Sequence, residues 1–255
     1  MTSSLGLLSV GLALTALIVA APPAAVADPR LDEKVYSPYV EKGEVEFESR
    51  VGVELGGQLG GATTTFLEAE YGVSDRLSLS LIGRLARDAS GPLSLNAIGV
   101  EGVFYAGQIP VVGIDTGVYL EYAQGLQGGE SVGEAKLLLA KTAGRFQGLF
   151  NFIVERPLGV PAGEGYADYG YAASLTWRTV GTLRLGLEAF GDLGSDRAFL
   201  GRQGAYVGPQ LKWKLRPRHS PVAITLDAGW LAAVGADRRE ADSQFRMAVA
   251  LERRF

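Results

Sequence analysis

The chain has 255 residues with 24 Lys+Arg, 28 Asp+Glu, one His and no Cys, room for one large domain or two small ones. Without cysteine there is no disulfide, iron–sulfur or thiolate-zinc chemistry, and one histidine excludes any scheme that needs two. A net charge of −4 with no basic stripe argues against a nucleic-acid partner, and no motif calls for a cofactor or a metal.

Residues 1–27 differ from everything after them. Leu5 to Ala21 is an apolar run broken only by Gly, Ser and Thr, and Ala25-Val26-Ala27 is a small-x-small site ahead of Asp28. The segment reads as a secretory signal peptide cleaved after Ala27, although no Lys or Arg precedes Arg30. A membrane anchor is the alternative, but the run is at the short limit for a span. Residues 28–42 then form a periplasmic tail ahead of a barrel at 43–255.

From Glu44 onward the pattern is alternation. In Glu44-Val45-Glu46-Phe47-Glu48-Ser49-Arg50-Val51-Gly52-Val53-Glu54-Leu55 even positions are charged or Gly and odd ones nearly all apolar, the period of a strand with one greasy face. The rhythm returns in Leu77 to Arg87, Thr182 to Asp192 and Tyr206 to Leu215. Gly, Pro, Asp and Ser clusters divide the chain into about twelve strands near 43–55, 63–73, 77–87, 93–106, 111–124, 133–143, 146–156, 167–178, 182–193, 203–215, 221–234 and 243–255. Ten or fourteen also fit. Short connections such as 74–76 and 144–145 mostly alternate with long ones such as 56–62 and 157–166. That is the habit of an all-β, antiparallel, up-and-down transmembrane barrel.

Which face points inward decides between lipid and a soluble carrier. Twelve strands enclose more space than side chains fill, so an apolar lining would leave a void. Aromatics also gather at strand ends: Tyr71, Phe104, Phe146, Trp177 and Trp213 toward the short turns, Tyr122, Tyr169 and Tyr171 toward the long loops. Such girdles suit the two headgroup levels. With the apolar face on lipid, the lumen receives Glu68, Glu70, Arg84, Glu101, Asp115, Glu121, Glu134, Lys136, Arg178, Arg184, Glu188, Lys212 and Asp227. Acids outnumber bases there, which favours cations or neutral solutes. Closure brings the first and last strands together, placing Glu44 and Glu46 near Arg254 as a sealing ion pair. Inward small residues such as Gly99, Gly170, Ala172, Gly186 and Ala250 lean toward an open interior.

Phe255, preceded by Met247, Val249 and Leu251 at alternate positions, resembles the C-terminal insertion signal of bacterial outer-membrane barrels, with Arg253 departing from it. That resemblance implies the barrel assembly machinery as a partner. Glu68-Ala69-Glu70-Tyr71-Gly72-Val73-Ser74-Asp75-Arg76-Leu77, Gly117-Val118-Tyr119-Leu120-Glu121-Tyr122 and Glu134-Ala135-Lys136-Leu137-Leu138-Leu139-Ala140-Lys141 resemble the outer-membrane proteins of the phenol-degradation meta-pathway family. These phrases cover about a sixth of the chain and imply a barrel more than a solute.

The expectation is an outer-membrane barrel passing small solutes by diffusion, with outer-membrane lipid around it and no catalytic residue. Alternatives are a non-transporting barrel that holds the envelope or binds a partner, a barrel lipid hydrolase and a soluble periplasmic carrier. His219, the base a hydrolase would need, sits in the proline-bracketed turn Arg216-Pro217-Arg218-His219-Ser220-Pro221 and reads as a solvated turn residue.

Overall fold

The structure is a computed structural model and describes residues 29–161, 165–201, 203–217 and 220–255. The segment read as a signal peptide, with its expected cleavage point, and His219 lie outside the described residues.

Twelve long strands build one sheet: β1 (Glu44–Leu55), β2 (Thr63–Gly72), β3 (Leu77–Arg87), β4 (Ser94–Ile109), β5 (Ile114–Gly125), β6 (Ser131–Ala143), β7 (Phe146–Leu158), β8 (Asp168–Arg178), β9 (Leu183–Ser195), β11 (Gly204–Leu215), β12 (Val222–Gly235) and β13 (Ser243–Arg254). The two-residue β10 (Ala198–Phe199) folds back on the end of β9. Every neighbouring pair is antiparallel, and β1 pairs β13 from Glu44↔Arg254 to Leu55↔Ser243. Since β8 also pairs β9, the sheet has no free edge. It is a closed barrel.

Turn chemistry fixes the register. Ala143 pairs Phe146 across Gly144-Arg145, with Gly144 at φ 62, the two-residue hairpin that needs glycine first. The β4–β5 hairpin runs further than the sequence suggested, to Ile109↔Ile114, with a bulge between Tyr105 and Gly107. Gly107 takes φ 124 there, a backbone region that side chains disfavour.

The alternation sets the two faces. Phe47, Leu81, Leu120 and Leu187 are 59%, 67%, 60% and 58% exposed on the outside, while Arg50, Glu54, Glu68 and Glu101 are buried inside. An outer belt of that extent is the surface acyl chains cover, and no helix among the described residues is long and apolar enough to cross a membrane. Tyr71, Phe104, Tyr122, Phe146, Trp177 and Trp213 are exposed; Tyr169 and Tyr171 are half-buried, stacked on Phe152 and Phe150 at 6.1 and 6.4 Å between ring centres. Met247, Leu251 and Phe255 are exposed and Val249 is half-buried.

Candidate functional site

The interior is occupied by the chain itself. Residues 29–41, within the stretch read from sequence as a periplasmic tail, run inside the barrel, beginning with a 3-10 turn at Pro29–Asp32. About ten extended residues span roughly 33 Å, enough to climb most of a membrane barrel. Glycines on the inner face provide the seats: a Cβ on Gly52 would meet the Leu31 carbonyl oxygen at 2.1 Å, and one on Gly117 would meet the Pro38 ring at 2.8 Å. Leu31, Tyr36 and Pro38 are buried.

Asn151 of β7 holds the middle of the segment. Its Oδ1 accepts from the Tyr36 N–H at 2.7 Å and its Nδ2 donates to the Tyr36 carbonyl at 2.9 Å, so one amide side chain satisfies both backbone groups of Tyr36. Arg246 of β13 donates to the carbonyls of Leu31, at 3.3 Å, and Glu33. An extended strand inside a barrel has no ladder of its own, so these ties replace one.

The inserted segment faces a charged wall on β1 to β6. Lys34 Nζ lies 3.1 Å from both Glu48 Oε1 and Glu68 Oε2, and Arg50 Nη1 lies 3.2 and 3.9 Å from the same oxygens. Ser80 donates to Glu68 at 3.1 Å. Arg84 pairs Asp32 at 2.5 Å and Glu121 at 3.6 Å; Lys136 pairs Glu33, and Glu134 at 3.0 Å. The Tyr36 and Tyr119 hydroxyls lie 3.3 and 2.8 Å from Glu101 Oε2, and Lys136 sits 4.5 Å from each ring centre. Coulombic attraction in a poorly hydrated interior ties these groups strongly.

The wall from β7 to β13 is different. Between it and residues 31–35 lies a cavity of about 90 Å³ whose lining includes Ser174, Thr176, Glu188, Gln210, Lys212 and Asp227. Gln210 organises it, accepting from Ser174 at 2.9 Å and donating to Glu188 at 3.2 Å and to Asp227 at 3.1 Å. Toward the long loops an apolar cluster of Ile153, Phe190, Tyr206, Leu231 and Ala241 fills the interior, with Val35 against it. The Arg246 guanidinium covers the Phe190 ring at 3.9 Å.

Asp115, Arg178 and Arg184 lie apart from the buried networks, and Glu70 borders them. Asp115 is at the short-turn mouth, where the Tyr105 and Tyr39 hydroxyls each donate to it at 2.8 Å; burial, then this hydrogen bond, push the Tyr39 hydroxyl up to about 12. Arg178 and Arg184 face each other across β8 and β9 at that end. Glu70 is half-buried opposite Glu46. The sealing pair is corrected: Glu44 is in register with Arg254, but Arg254 pairs Glu41 at 3.7 Å and Glu46 stands opposite Glu252. The small inward residues do not leave the interior open, because residues 29–41 and the Phe190 cluster fill it. Sequence reasoning missed Leu31, Lys34, Tyr36, Pro38 and Asn151. The one available signal was length, since 15 residues ahead of β1 is enough to reach back through the barrel.

The solved structure of the COG4313 outer membrane channel from Pseudomonas putida F1 superposes with TM-score 0.56 at 11% identity over 90% of this chain and 100% of that one. The fold is an outer-membrane barrel. LpxR from Salmonella typhimurium aligns with TM-score 0.42 at 11% identity over 82% of this chain and 100% of that one, and the outer membrane channel DcaP of Acinetobacter baumannii with 0.31 at 11% over 86% and 100%. No family model and no curated protein matches the chain.

Proposed function

We propose that this barrel sits in the bacterial outer membrane and passes small solutes by diffusion, without a chemical step, and that residues 29–41 are its constriction. The observation that carries the reading is how that segment is held. Its backbone ties to Asn151 and Arg246 are hydrogen bonds that water can replace, and it borders a polar cavity at the level of Gln210. A cavity of about 90 Å³ holds a few waters at roughly 30 Å³ each, so passage of a solute requires the segment to shift. The acid majority of the lumen supports a preference for cations or neutral solutes over anions. The phrases shared with the phenol-degradation family lie in β2, β5 and β6 and name no solute. Outer-membrane lipid and the barrel assembly machinery are the expected partners.

One observation favours a second reading, a barrel that does not transport. The Phe190 cluster and the inserted segment together fill the long-loop end of the interior. Planar-bilayer recording separates the two. Wild type gives small steps and Asn151→Leu, which removes both ties to Tyr36, gives larger and longer ones. Silence from both variants, with folded barrels confirmed by heat-modifiable gel migration, would leave the second reading standing.

A further inference from the structure

The most unusual arrangement inside the barrel is a ladder of carboxylates leading to a lysine. Carboxylate oxygens of Glu44, Glu46 and Glu252 lie within 4.8 Å of one another, as do those of Glu68, Glu70 and Glu101. Strand register joins the two groups, because Glu46 stands opposite both Glu252 and Glu70. The ladder begins at the short-turn mouth, where Glu252 is neutralised by Lys214, and rises along β1 and β2 to Glu68. At its head sits Lys34, a cation that comes from the inserted segment and not from the wall. Its ammonium bridges Glu48 and Glu68 and lies 4.5 Å from the Tyr36 ring centre. Carboxylates and an aromatic face together are the chemistry that receives a desolvated cation. Glu101, 3% exposed, adds a further carboxyl beside Glu68 and Glu70 and accepts from the Tyr36 and Tyr119 hydroxyls.

We propose that Lys34 is a tethered occupant of a cation site at the head of this ladder, and that by filling it the inserted segment sets the ion preference of the lumen. Among the described residues the wall pairs one fixed cation, Arg50, with Glu48 and Glu68. With the lysine charge removed, Glu48 and Glu68 share Arg50 alone, and a mobile metal ion or small ammonium replaces the lost cation. The selectivity part of this inference rests on the channel reading; the site does not.

Two measurements on the full-length barrel in detergent and in bilayers keep those apart. Titration with Tb³⁺, read as emission sensitised by the adjacent Tyr36 and Tyr119, detects the site whether or not the barrel conducts. Lys34→Met and Lys34→Gln are expected to bind at least about tenfold more tightly than wild type, from loss of one positive charge within contact distance. Lys34→Arg should behave as wild type, and Lys34→Met with Glu68→Gln should lose the gain. If the neutral variants bind no tighter, or the double variant binds as tightly as Lys34→Met, the site is overturned. In bilayers under a KCl gradient, Lys34→Met is expected to shift the reversal potential toward the cation limit. A conducting Lys34→Met with unchanged reversal potential overturns the selectivity claim. A silent bilayer alongside tighter Tb³⁺ binding upholds the site and sinks the channel reading.

Discussion

The two walls of the lumen solve the same problem in opposite ways. On β1 to β6 the interior is crowded with acidic and basic side chains, many paired with one another or with residues 32–34, and Lys136 is 3% exposed. On β7 to β13 the contacts at the level of Gln210 run through a neutral amide and hydroxyls, and a cavity remains. A barrel of twelve strands is too wide for its own side chains to fill. This chain fills one side with a piece of itself fixed by charge, and leaves on the other a cavity whose acidic groups are bridged by the Gln210 amide. The difference teaches where rigidity and passage are divided: the wall of ion pairs anchors the segment and the amide-bridged wall borders the path.

Substitutions on the two walls should therefore differ in kind. The largest effect is expected at Lys136→Met. Its ammonium bridges Glu33 and Glu134 against two tyrosine rings, and removing it strands buried carboxylates, at a cost of about 3–5 kcal/mol. The folded band should melt at clearly lower temperature, and recordings should become noisier as residues 29–41 loosen. Unchanged melting would show that the charged wall is not the anchor. Gln210→Leu comes next. It leaves Glu188 and Asp227 without their shared amide donor, about 1.5–3 kcal/mol for hydrogen bonds to charged groups, while leaving Tyr36 and Asn151 untouched. Cation preference should rise with little change in the occupancy of the closed state. A change in closed-state occupancy as large as that of Asn151→Leu would contradict the division between the walls.

Much of the wall was legible before any coordinates, and little of what fills it. Period-two alternation placed Glu46, Glu68, Glu101 and Glu188 on one face and Phe47, Leu81 and Leu187 on the other because a strand permits no other arrangement. Turn residues gave the ends of β3 and the Gly144-Arg145 hairpin. The extension of β4 to Ile109 was not legible, since it depends on a bulge at Gly107, and β10 is too short to carry a pattern. Residues 28–42 mix Pro, Tyr and charges with no period, so nothing local says that they turn inward. Their partners, Gly52, Gly117 and Asn151, are distant in sequence and read as ordinary strand residues. The sealing ion pair expected of Glu44 and Glu46 with Arg254 failed for a related reason: register puts Glu44 opposite Arg254 and Glu46 opposite Glu252, and Arg254 pairs Glu41 of the inserted segment instead.

The smallest expected effect tests the amide-bridged wall most directly. Lys212 is 4.0 Å from Asp227 with its side chain 46% exposed, so the pair is hydrated and contributes less than about 1 kcal/mol. Lys212→Gln should leave melting unchanged. It sits beside the cavity, however, and there one fixed charge acts on every ion that passes, whatever it does for stability. Cation over anion selectivity should increase modestly, and the increase should fade at high salt as the Debye length shrinks to a few ångström. Selectivity that does not move at low salt would place the path away from this wall and remove the distinction between anchor and passage.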